Sequence, residues 1–151
     1  MRLALSPVLQ RRSANEATSL DPVIGHRTAA WVHTGGPAPH RIDLVSPPGR
    51  ARWRDPLLVT HEHRLAATDV ATIAGVQVTS PARTAADLAR TLPGGQVIPL
   101  LVRLHGRCGL RPTAVLTQLD GMAHGRGVRQ ARELVQRWAA ALAEAGVSVP
   151  G

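Results

Sequence analysis

Gly75-Val76-Gln77-Val78-Thr79-Ser80-Pro81-Ala82-Arg83-Thr84-Ala85-Ala86-Asp87-Leu88-Ala89-Arg90 is the stretch in which the chain changes character. Up to Thr79 apolar and polar residues alternate, the period of a half-buried strand. From Ser80 the spacing becomes helical, with Ala85, Leu88, Ala89 and Leu92 on one face. Ser80 suits an N-cap and Pro81 the first helical position, where a missing N–H costs nothing. Arg83 and Asp87 stand four residues apart and can pair across one turn, worth only ~0.2–0.5 kcal/mol if exposed.

N-terminal to this switch the text is short and strand-like. Gly25 to His33 reads as a short helix ended by Thr34-Gly35-Gly36-Pro37. Arg41 to Val45 alternates and stops at Ser46-Pro47-Pro48-Gly49, Leu57 to His61 is a second strand, and Val70–Ala74 with Val76–Thr79 forms a third strand or a tight hairpin around Gly75. C-terminal to the switch everything is helical. Pro93-Gly94-Gly95 ends the first helix, and Val97, Leu100, Leu101 and Leu104 mark a second that Gly106 and Gly109 interrupt. Pro112 to Met122 forms a third. Arg126 to Ala145 is the longest, with Val128, Ala131, Val135, Trp138, Leu142 and Ala145 in one apolar stripe. Segregated strands and helices imply an α+β fold, with a small antiparallel sheet of about three strands and a helical C-terminal half. The expected organisation is a flexible N-terminal arm at 1–21, a single α+β domain at 22–146 and a tail at 147–151.

Composition narrows the chemistry. The 151 residues include 18 basic and 10 acidic side chains, a net charge of +8, and every basic residue is Arg. Without Lys the chain can form no Schiff base, no phosphate-loop lysine contact and no carboxylate-plus-Lys nuclease centre of its own. Three Trp and no Phe or Tyr leave little for single-strand binders that stack bases on aromatic platforms. The lone cysteine, Cys108, excludes an internal disulfide and an all-Cys zinc site, which fits a reducing cytoplasm. No apolar run reaches the ~20 residues of a membrane span, and the first residues do not form a secretory signal.

Catalytic patterns are weak. Ser6, Ser46 and Ser80 each precede Pro, marking turns and caps rather than a nucleophile elbow. Arg107 beside Cys108 favours a lowered thiol pKa, but an inert cysteine at a helix end is the simpler reading. His61-Glu62-His63 places two imidazoles on one side of a strand, with His33 or His40 as a third ligand. Such spacing is a loose pattern, so His61 and His63 stand as weak metal candidates, with neither metal nor cofactor expected. The arginines are more pointed. Arg50, Arg52 and Arg54 flank Trp53 on one loop, and Arg126, Arg129, Arg132 and Arg137 lie opposite or beside the apolar stripe of the last helix. Arg pairs bidentately with phosphate or carboxylate, and Trp between arginines suits a partner-binding anchor.

The landmarks also resemble a known family. Val23-Ile24-Gly25-His26-Arg27-Thr28-Ala29-Ala30-Trp31-Val32-His33 resembles the ISH-x-SAA-x-LHG stretch of actinobacterial AbiEi-type antitoxins of type IV toxin–antitoxin systems. Leu58 to Leu65 is similar to their V-x-V-H-R-x-x-L strand, and Gly75 to Arg90 to their G-[IL]-P-V-T-S-P-x-R-T-x-x-D-L-A-R segment. Gly125 to Arg132 resembles their G-R-R-G-x-x-x-[AL]-R helix start. Family members often begin with a winged helix, and some relatives end in an endonuclease-like domain. The stretch before Val23 is too short for the first, and the chain offers no Lys for the second. The resemblance therefore implies the intervening scaffold and partner-binding module, with Arg83 and Asp87 as a structural pair at the strand-to-helix corner.

The expected function is a non-catalytic, cytoplasmic antitoxin that binds a nucleotidyltransferase-like toxin, DNA, or both through its Arg-rich surfaces. The alternatives are a degenerate remnant of an endonuclease-like protein and, last, a metal-dependent hydrolase at His61 and His63.

Overall fold

A computed structural model describes residues 22–49 and 54–146. The described residues divide between Ser80 and Pro81 into two compact units, at the point where the sequence changes period. The expected arm at 1–21, the tail at 147–151, and Arg50, Arg52 and Trp53 lie outside the described residues.

The first unit is a five-stranded sheet with one helix. Its elements are β1 (Val23–Ile24), α1 (His26–Thr34), β2 (Ile42–Ser46), β3 (Leu58–Glu62), β4 (Val70–Ile73) and β5 (Val76–Thr79), in sheet order β3-β2-β1-β5-β4. The expectation of about three antiparallel strands is corrected in both number and direction. β1 has two residues and shows no period, yet it is the central strand, pairing antiparallel with β2 and parallel with β5. β2 and β3 are parallel, in register from Ile42 against Leu58 to Ser46 against Glu62. Parallel neighbours need a crossover of about a dozen residues, and the Pro-rich stretch 47–57 is long enough to supply one. Only β4 and β5 form the expected hairpin. Ala29 and Val32 of α1 join Ile24, Leu44 and Val78 of the sheet in the buried cluster of this unit.

The second unit is helical, as expected: α2 (Pro81–Thr91), α3 (Gly94–Cys108), α4 (Pro112–Asp120) and α5 (Val128–Glu144). Gly106 does not interrupt α3, which continues to Cys108. Val97, Leu101 and Leu104 of α3 meet Val115 and Leu119 of α4, and Val128, Ala131, Val135 and Trp138 of α5. α2 is buried from Arg83 through Ala89, more than a one-faced stripe allows. Ala85, Ala86 and Ala89 make that packing feasible, because small side chains on several faces let neighbouring helices approach.

Candidate functional site

Gly25 sets up the imidazole cluster of the first unit. A Cβ there would run into the Val45 side chain, so glycine lets the β1–α1 corner lie close against β2. The next residue, His26, is 4 % exposed and holds φ +52, a left-handed conformation uncommon for a side-chain-bearing residue. Its ring stacks on that of His61 at a centroid separation of 3.7 Å, with His63 5.6 Å away. The rings of His61 and His63 are within 6° of parallel, with centroids 6.4 Å apart. The Nε2 of His61 lies 2.9 Å from Asp43 Oδ1 on the adjacent strand. Asp43 is fixed in turn by Thr28, whose hydroxyl donates to Asp43 Oδ2 at 3.3 Å and accepts the Asp43 N–H at 2.9 Å.

This arrangement corrects the sequence reading of the third histidine. His33 instead places Nε2 2.7 Å from the Thr79 carbonyl oxygen, and His40 is exposed. The imidazole that joins His61 and His63 is His26, whose sequence signals were its place after Gly25 at a helix start and its match to the His of the family's ISH stretch.

Arg129 and Arg137 lie on the outer side of the last helix, and Arg126 lies in the loop before it. Arg126, Arg129 and Arg137 are exposed, whereas Arg132 is half-buried and its guanidinium lies 2.7 Å from Asp120 Oδ1. Arg129 stands 3.8 Å from Glu133, both well exposed, so this pair adds little stability and leaves the cation available to a partner. Arg137 lines a shallow hollow with Glu133, Gln136 and Ala140. Arg54, the described member of the loop cluster, is exposed.

Arg83 and Asp87 do pair, Nε to Oδ2 at 3.1 Å, with the Asp87 side chain fully buried. A third member was not anticipated. Arg90 approaches the other oxygen, Asp87 Oδ1, at 3.7 Å, and its Nε donates to the Arg126 carbonyl at 2.9 Å. The same side chain therefore links the buried carboxylate of α2 to the loop leading into α5. Burial pushes the Cys108 thiol upward, opposite to the lowering that an adjacent Arg107 suggests, which makes it a poor nucleophile at neutral pH.

Among the described residues no helix is long and apolar enough to cross a membrane. The family model for the AbiEi antitoxin C-terminal domain matches residues 23–136. No curated protein and no solved structure matches the chain.

Proposed function

Because the chain belongs to the AbiEi antitoxin family, we propose that it acts in the cytoplasm without catalysis, by occupying a toxin partner through the arginine-bearing side of α5. The observation that carries this reading is the placement of Arg129 and Arg137, both exposed on a helix whose opposite side supplies Val128, Ala131, Val135 and Trp138 to the core, with the exposed Arg126 in the loop just before it. A helix anchored this way presents guanidinium groups on a rigid support, which lowers the ordering cost of binding. Asp120 and Glu133 sit among these arginines. Mixed charge of that kind suits a protein surface with its own alternation of signs, such as a face of a nucleotidyltransferase-like toxin, better than a uniform phosphate backbone. In the first unit, Arg50, Arg52, Trp53 and Arg54 are proposed as a separate partner contact, with Trp53 as the apolar anchor among the cations.

A second reading, operator DNA, is favoured by the net charge of +8 carried wholly by Arg. The two differ in their salt response. DNA contacts make the logarithm of affinity fall with log salt at a slope near ~0.9 per neutralised phosphate. A toxin complex with an apolar anchor should show a shallower slope.

The test is the double charge reversal Arg129→Glu and Arg137→Glu. Both sites are exposed, so stability should change by less than ~0.5 kcal/mol each. Affinity for a cognate toxin should fall at least ~10-fold, about 1.4 kcal/mol, when measured by calorimetry. Unchanged toxin affinity in a folded double variant would remove α5 from the interface.

A further inference from the structure

His26, His61 and His63 form a cluster that the antitoxin reading does not use. Each offers one ring nitrogen, and these three atoms all lie within 4.8 Å of one another. They come from the start of α1 and the end of β3, so long-range packing brings them together. Two further features set the cluster apart from chance proximity. Asp43 holds His61 Nε2 at 2.9 Å and is itself fixed by Thr28, the carboxylate-behind-histidine arrangement that orients a metal-binding imidazole. His26 keeps a φ of +52, a conformation that persists only where surrounding structure imposes it, and such residues concentrate at functional sites.

We propose that His26, His61 and His63 bind a transition-metal ion of the zinc class, with Asp43 as the positioning residue for His61. Imidazole nitrogen suits Zn²⁺, Co²⁺, Ni²⁺ and Cu²⁺, whereas Mg²⁺ and Ca²⁺ take oxygen donors. With Nε2 of His61 engaged by Asp43, ligation falls to its Nδ1. In a tetrahedral shell with bonds of ~2.0–2.1 Å the ligand nitrogens stand about 3.3 Å apart, so binding draws the rings together and turns them out of their stack. Three protein ligands leave one position for water or a donor from a bound molecule. His63 also lines a cleft of about 370 Å³ with Ser46, Leu65, Val70 and Thr72, which gives solvent a route to this member of the cluster. The ion would tie the first turn of α1 to the end of β3.

The experiment uses the full chain, untagged and stripped with chelator, titrated with Zn²⁺ against a chromogenic competitor and separately with Co²⁺. The expected result is one equivalent of Zn²⁺ and the visible absorption of four-coordinate cobalt. His63→Ala and His26→Ala should each weaken binding at least ~10-fold, and Asp43→Asn, which leaves all three histidines in place, by ~10–100-fold. The exposed His124→Ala should change nothing. Absence of stoichiometric binding, or equal affinity in the wild type and His63→Ala, would overturn the proposal and leave the three rings as packing. His63 is half-buried beyond the end of β3, so its variant decides the matter even if His26→Ala fails to fold.

Discussion

Asp87→Ala is expected to destabilise the helical unit by about 3–5 kcal/mol, the usual cost of removing one partner from a buried ion pair. The Asp87 side chain is fully buried, and it faces Arg83 at 3.1 Å and Arg90 at 3.7 Å. Removing the carboxylate takes away the negative charge 3.1 Å from the Arg83 guanidinium, a side chain only 6 % exposed, in a site that water barely reaches. It also removes the carboxylate that helps hold the Arg90 side chain, which loosens the donation to the Arg126 carbonyl that joins α2 to the loop before α5. A loss of this size is a large part of the ~5–15 kcal/mol that holds a domain together. Urea unfolding followed by far-ultraviolet circular dichroism measures it. A change below ~1 kcal/mol would mean that the three charges contribute as a solvated surface network does.

The second large effect is expected at Gly127→Ala. Gly127 holds φ +76, and a Cβ there would strike the backbone carbonyl of Arg90, an atom that cannot swing aside as a side chain can. The left-handed backbone alone costs an L-residue ~1–2 kcal/mol. Displacing α2 from α5 adds ~1–3 kcal/mol, the range for overpacking. The total is about 2–5 kcal/mol. Gly109→Ala separates the two contributions, because Gly109 has φ +66 but open space where its Cβ would go. Gly109→Ala should therefore cost only the backbone part, and equal losses at the two positions in the same unfolding assay would contradict the close approach to Arg90.

These two residues explain why parts of the chain were readable in advance. Arg83, Asp87 and Arg90 belong to one resembling segment and Gly127 to another, and the fold brings the two together through the side chain and carbonyl of Arg90. The switch at Ser80 was legible because strand and helix periods are local, and so were the four C-terminal helices. β1 was not, since two residues carry no period and owe their place to pairing with β2 and β5. Strand direction between β2 and β3 was hidden for a similar reason. The stretch 47–57 fits a crossover or a long loop equally well on sequence alone. His26 escaped as a partner of His61 because 35 positions separate them and only the β1–α1 corner closes the distance. Burial along α2 went further than its stripe predicted, because alanines on several faces signal close packing only once the neighbours are known.

Toxin neutralisation bears most directly on the claim that this protein works by holding a partner through α5. Cells carrying a cognate toxin gene under an inducible promoter would be co-transformed with the wild-type chain or with the Arg129→Glu, Arg137→Glu variant, at matched soluble levels. Rescue of growth by the wild type and its loss with the variant is the predicted outcome. Equal rescue by both chains would contradict it.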